Sequence, residues 1–161
     1  MPVGFEDFVA TETPRLLGLA YALAGNPHDA WDLVQESLVR VGVRWTRLDG
    51  QNPGGYARTT LVRLNVDRGR RTRREWLMTH VPDRPIRIEV HEELEPWLVA
   101  GLAELTPQQR AAVVLRVLAD LDHQQIAEHL GCSPGTARSH LSRGLARMRE
   151  HARAYAETRD S

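Results

Sequence analysis

Lysine is absent from this chain of 161 residues: all of its 21 basic residues are arginine, and 21 acidic residues balance them to a formal net charge of zero. A protein that held nucleic acid over its whole surface would be basic throughout, so any such contact must come from local patches. The missing lysine fits a coding bias toward arginine codons as readily as a demand for bidentate phosphate and guanine contacts, and it locates no site. Cysteine is nearly absent as well. The one thiol, Cys132, excludes an internal disulfide framework and fits a reducing compartment. Long apolar runs are also missing. Leu16 to Ala24 ends in Ala22-Leu23-Ala24 and superficially resembles a signal-peptide core, but Glu6, Asp7 and Glu12 precede it where positive charge belongs, and it is far too short to span a bilayer. The expectation is a cytoplasmic protein with no stable membrane insertion. No Ser-His-Asp, Walker or GxGxxG pattern occurs. Strand-like alternation persists nowhere except briefly at Ile86 to Val90, so the fold is expected to be all-α.

What is present is organised around Asp122 to Arg149, which reads as two helices joined by a tight turn. Asp122 and Gln125 have capping-box spacing, so a short helix should begin at His123, with Ile126, Ala127 and Leu130 as its buried stripe. Gly131 offers the left-handed conformation that ends a helix cheaply. Ser133 then caps a second helix with Pro134 at its first position, where a missing amide proton costs nothing. Ala137, Leu141, Leu145 and Met148 fall on one face of that helix, at spacings of four, four and three. Opposite them lies a small, polar, cationic face that suits a major groove. A helix-turn-helix reads base edges with side chains near the N-terminus of its second helix and holds phosphates with the flanks. Thr136, Ser139, Ser142 and Arg143 are the base-edge candidates, and Arg138 and Arg147 the phosphate candidates.

Phe5, Phe8, Val9, Leu16, Leu19, Ala20 and Leu23 repeat at helical spacing, giving one amphipathic helix or two, with Pro14 as a kink or restart. A second helix runs from Pro27 to about Trp45, with Ala30, Val34, Leu38, Val41 and Trp45 along one side and Asp29, Asp32, Gln35 and Glu36 on the other. Asn52-Pro53 opens a third, whose inner side is Tyr56, Thr60, Leu61 and Leu64. It leads into a charge run of Arg58, Arg63, Arg68, Arg70, Arg71, Arg73 and Arg74, interrupted by Asp67. Such a run is a phosphate-binding surface by charge, since each neutralised phosphate releases counterions. Trp76 follows it and offers a stacking platform, with core packing as its alternative.

Residues 80–92 lose the helical stripe and read as linker. A new pattern starts at Glu93 with Leu94, Trp97, Leu98, Gly101, Leu102 and Leu105, and Thr106-Pro107-Gln108-Gln109 restarts it with another capping box. Ala111, Val114, Leu115, Val117, Leu118 and Leu121 should pack this helix against the helix-turn-helix. The expected architecture is two small helical domains joined by a flexible linker, the C-terminal one a helix-turn-helix: residues 4–78, linker 79–92, and 93–155.

Read together, residues 4–155 resemble a compact bacterial sigma-70-family factor of the extracytoplasmic-function type. HDAWDLVQESLVRV is similar to the helix that binds the clamp of the large polymerase subunit. YARTTLVRLNVDRGRRTRR is similar to the segment that melts and reads the −10 promoter element, and LTPQQRAAVVLRVLADLDHQQIAEHLGCSPGTARSHLSRGLARMR to the −35-binding domain. The resemblance implies polymerase contact through Asp29, Asp32, Gln35 and Glu36. It implies contact with the −10 strand through Arg63, Arg68, Arg70, Arg71 and Arg74, beside a loop that captures a flipped base, with Gln51, Asn52 and Trp76 as pocket candidates. Two positions depart from the family pattern: Trp31 stands where an acidic residue is common, which bears on clamp affinity, and Arg63 where many members have asparagine, which bears on −10 specificity. The resemblance implies core RNA polymerase and promoter DNA as partners, an anti-sigma factor in some members, and no cofactor and no catalysis.

Two other readings compete. One is a helix-turn-helix regulator whose N-terminal half senses a ligand or partner; such a domain has no need of a second nucleic-acid surface like Arg58 to Arg74. The other is a zinc site from His123, His129, Cys132 and His140, although the spacing gives no close CxxC-type ligand pair.

Overall fold

The computed structural model describes residues 3–48, 50–68 and 94–161, and among these every regular element is helical. Helix α1 spans Phe5–Ala24, α2 Pro27–Val43 and α3 Pro53–Arg68, with a 3-10 turn at Trp45–Arg47. After the segment outside the described residues come α4 (Pro96–Ala103), α5 (Pro107–Ala119), α6 (His123–Leu130) and α7 (Pro134–Arg159). The expected strand-like stretch at Ile86 to Val90 and the linker lie outside the described residues.

Local chemistry sets the helix boundaries. The Asn26 side chain accepts from the Asp29 amide at 2.9 Å and donates to the Asp29 carboxylate at 2.7 Å, closing the start of α2. Asn52 Oδ1 accepts from the Gly55 amide at 2.9 Å at the start of α3. Both expected capping boxes form, Thr106 with Gln109 and Asp122 with Gln125. Pro14 neither breaks nor restarts α1, which runs through it. The proline cannot donate to the carbonyl of Ala10, while next to it the Thr13 hydroxyl donates to the carbonyl of Val9 at 2.5 Å.

Helices α1, α2 and α3 pack together, as do α4 to α7, and the two groups meet where α1 touches α4 and α5 and where α3 touches α5 and α6. Leu16, Leu19, Leu23, Leu33, Val34, Leu61 and Val62 of the first group and Val114, Leu115, Ile126, Ala137 and Leu141 of the second are buried in one continuous hydrophobic cluster. Val117, expected to pack, is 63% exposed. It sits in the last turn of α5, just before Asp120 adopts a left-handed φ of 52° and turns the chain away. Trp31 is 47% exposed, so its indole lies outside the core.

A buried ion pair ties α1 to α3. Arg58 Nη1 donates to Glu12 Oε2 at 3.1 Å, and each residue is 8% exposed. Removing one partner strands a buried charge, so Glu12→Ala is predicted to lower stability by about 3 kcal/mol or more in urea denaturation. A loss below about 1 kcal/mol would mean that Arg58 finds solvent or another acceptor without the pair.

Candidate nucleic-acid interface

The recognition helix α7 is presented as its sequence implies. The Ser133 hydroxyl accepts from the Thr136 amide at 3.1 Å, Pro134 occupies the first turn, and Gly131 supplies the left-handed φ of 66° that separates α7 from α6. Ala137, Leu141, Gly144 and Met148 are buried on the inner face. Thr136, Arg138, Ser139, Ser142, Arg143 and Arg147 are all exposed. The Thr136 oxygen accepts from the Ser133 hydroxyl at 2.9 Å, which leaves its own proton for an outward acceptor. Arg147 donates through Nη1 to the Glu104 carbonyl at 3.1 Å, so one edge of its guanidinium is already engaged within the domain.

Helix α3 is placed very differently from an exposed basic strip. From Gly54 to Asp67 every residue except Tyr56 is buried. Arg63, expected to meet DNA, is only 4% exposed and donates through Nη2 to the Glu128 carbonyl of α6 at 2.6 Å. Burial pushes its pKa down to about 10. His129 on α6 is 3% exposed, and its Nδ1 has no hydrogen-bond partner. Burial first, and the Arg63 charge second, push its pKa down to about 4. Asn65 and Asp67 are buried on the same helix. Arg68, partly exposed, lies 3.8 Å from Asp29 of α2, which links an expected DNA contact to an expected polymerase contact. Arg70, Arg71, Arg74 and Trp76 lie outside the described residues. Of the remaining pocket candidates, Gln51 is exposed and Asn52 serves as the cap of α3.

On α2, Asp32 and Gln35 are exposed, as is about half of the Asp29 side chain, while Glu36 is half-buried and bonded to Arg40 at 3.0 Å. Trp31, Gln35 and Val39 follow at intervals of four along the same outer surface. Asp29 does local work in the cap with Asn26, and Asp32 lies 3.7 Å from His28 one turn earlier, both at the exposed edge of α2. Ligand atoms of His28, Asp29 and Asp32 lie within 4.8 Å of one another, all exposed. Among the described residues, His123, His129, Cys132 and His140 do not converge in this way.

Sequence reasoning missed Arg110. Its guanidinium and Nε donate to the carbonyls of Leu102 at 2.7 Å, Leu105 at 3.0 Å and Ala103 at 3.3 Å, and also to the carbonyl of Leu23 at the end of α1. One cation thereby closes the C-terminal ends of α4 and α1, where helix dipoles favour positive charge, and burial lowers its pKa. Nothing in the local pattern separates this arginine from a solvated one, because its acceptors come from elsewhere in the chain.

Sigma-70 region 2 matches residues 8–75, and Sigma-70, region 4, matches residues 97–148. The RNA polymerase sigma-E factor of Streptomyces avermitilis is 34% identical over 149 residues, covering 91% of this chain and 83% of that protein. The sigma-E factor of Streptomyces antibioticus is 33% identical over 159 residues, covering 97% and 86%. Among solved structures, the sigma factor RpoE of Bartonella quintana, crystallised with the anti-sigma factor NepR, superposes with a TM-score of 0.63 at 23% identity, over 92% of this chain and 96% of that one. The Mycobacterium tuberculosis factor SigJ gives 0.54 at 26% identity, over 90% of this chain and 53% of that one.

The His129 environment makes a prediction about acid. An unfolded chain takes a proton on this imidazole near pH 6.5, and the folded chain only near pH 4. Between those values the unfolded state binds more protons, so this group's contribution is complete above pH 6.5 and lost as pH falls toward 4. The full difference is about 3 kcal/mol. Urea midpoints should therefore drop more steeply from about pH 7 to about pH 4 for the wild type than for His129→Leu. Parallel drops in the two proteins would contradict this assignment.

Proposed function

The chain belongs to the sigma-70 family of RNA polymerase sigma factors, of the extracytoplasmic-function type, and from that premise we propose how its surfaces divide the work of promoter recognition. It binds core RNA polymerase and directs promoter-specific initiation of transcription. We assign residues 4–78 to clamp binding and −10 recognition, 79–92 to a linker, and 93–155 to −35 recognition. The observation that carries the assignment is an exposed polar face of α7 opposite its buried stripe, within the part that matches region 4. A regulator with a sensing N-terminal half is disfavoured, because region 2 covers the half that a sensor would need.

In this reading Thr136, Ser139, Ser142 and Arg143 meet base edges of the −35 element, and Arg138 and Arg147 its phosphates. Arg63, Arg68, Arg70, Arg71 and Arg74 serve the −10 strand. Asp29, Asp32, Gln35 and Glu36 face the polymerase. The factor contributes binding energy and strand capture and leaves bond-making to the polymerase. It works in the cytoplasm, where the polymerase is; no helix among the described residues is long and apolar enough to cross a membrane. An anti-sigma factor belongs among the candidate partners, in line with the likeness to RpoE, which was solved with one.

In vitro transcription with core polymerase on a promoter library tests the whole assignment: some promoters must fire only when the chain is added, and silence on all of them would contradict it. Asp32→Arg with Glu36→Arg is predicted to abolish association with core polymerase while stability falls by no more than about 1 kcal/mol, since Asp32 is exposed and Glu36 gives up only its partly exposed pair with Arg40. Wild-type association by a folded double variant would remove α2 from the interface. On the −35 side, Arg143→Ala should cost about 1–3 kcal/mol on a cognate element and relax preference at one position, whereas Arg138→Ala should weaken all sequences alike. Equal, sequence-independent losses from the two would refute base reading by Arg143.

A further inference from the structure

A cavity of about 270 Å³ lies among the end of α1, the helices α4 and α5, and the middle of α7. Trp97 and Leu98 of α4, Val117 of α5, and Leu145 and Met148 of α7 stand in its walls. Among its described lining residues Arg149 alone carries a charge. Val117 is 63% exposed, and Trp97, Leu98 and Leu145 are only half-buried, so hydrocarbon from three helices faces one recess. The walls are held from outside. The Trp97 indole stacks on Tyr155 with ring centroids 5.7 Å apart, and the Arg159 guanidinium lies over the Tyr155 ring at 6.0 Å. His151 Nδ1 lies 3.5 Å from the Glu104 carboxylate just past the end of α4. An indole engaged with Tyr155 is not free to swing inward and fill the space. Hydrocarbon walls give water none of the polar partners it needs, which makes an apolar guest the better occupant.

We propose that this cavity is a binding site for a medium-chain aliphatic carboxylate, whose tail fills the recess and whose head meets Arg149. The tail length follows from the volume. An apolar cavity of about 150 Å³ takes up benzene, so by proportion 270 Å³ holds a chain of about eight to ten carbons. The head follows from the charge. Arg149 is exposed, and no acid among the described residues pairs with it. A guanidinium offers a carboxylate two parallel donors, a fork that an alcohol cannot match. An uncharged tail would use the recess alone and a short carboxylate the cation alone; only a molecule with both uses the pair. None of the residues assigned to promoter DNA or to the polymerase lines the cavity, so the site stands apart from the transcriptional reading.

Calorimetric titration of the full chain with octanoate, octanol and acetate tests this. Octanoate should bind one to one with a Kd of about 100 μM or tighter, octanol at least about tenfold more weakly, and acetate without saturation. Arg149→Gln keeps the recess, so it should bring octanoate down to the level of octanol while octanol itself stays within about twofold. Ala152→Phe, at a half-buried lining position, puts a ring in place of the tail and should abolish binding of both, with the circular dichroism of the wild type retained. If that variant does not fold, the ratio of octanoate to octanol binding in the Arg149 variant decides alone. A wild-type chain that takes up no octanoate saturably overturns the proposal; a recess filled by another part of the chain or by a second copy would give that result. Uptake of several molecules at once, insensitive to Ala152→Phe, marks detergent-like coating and overturns it too. Octanoate binding that Arg149→Gln leaves unchanged, or weakens no more than octanol binding, overturns the role of Arg149.

Discussion

The burial of α3 is the constraint on which the rest of the structure depends. Most helices keep one stripe in the core and one face in water. This one is enclosed from Gly54 to Asp67 apart from Tyr56, although it contains Arg58, Arg63, Asn65 and Asp67. Each charge inside must be answered by a partner or be pushed toward neutrality. Glu12 answers Arg58, and the Glu128 carbonyl receives Arg63. The second answer comes from the other half of the chain, so α3 also holds the two halves together.

The C-terminal half is built so that its recognition helix needs nothing from the N-terminal half to present its polar face. Two capping boxes, a left-handed Gly131 and the Ser133 cap fix where α5, α6 and α7 begin and end. Those are short-range devices, set within three or four residues. Arg110 works at the opposite scale, drawing carbonyls of α4 and α1 to one guanidinium. The C-terminal half thus combines locally determined helix ends with a long-range clasp to α1.

The same division explains how much was legible in the sequence. The helix starts at Asn26, Asn52, Thr106, Asp122 and Ser133 are written in side chains that bond amides three residues ahead, and each forms. The buried stripe of α7 follows from helical periodicity alone. Arg63 was not legible, because a charge run carries no information about which of its members another helix will cover. His129 and Arg110 were hidden for the same reason. Pro14 does not restart the helix, because a proline removes only one hydrogen bond, while the Phe8, Leu16, Leu19 and Leu23 packing holds both sides of α1 in place. Val117 fits the expected stripe and lies outside because the left-handed turn at Asp120 ends the surface that would have covered it.

The central claim is that α3 ties the two halves of the chain together, with Arg63 as its bond to α6. It is tested most directly by the distance between the two halves. Spin labels on cysteines at Thr46, exposed in the 3-10 turn, and Glu157, exposed near the end of α7, report it once Cys132 is replaced by serine. The account predicts one narrow distance distribution in that background and a broader, longer one when Arg63→Ala removes the bond to the Glu128 carbonyl. A distribution that Arg63→Ala leaves unchanged would contradict it.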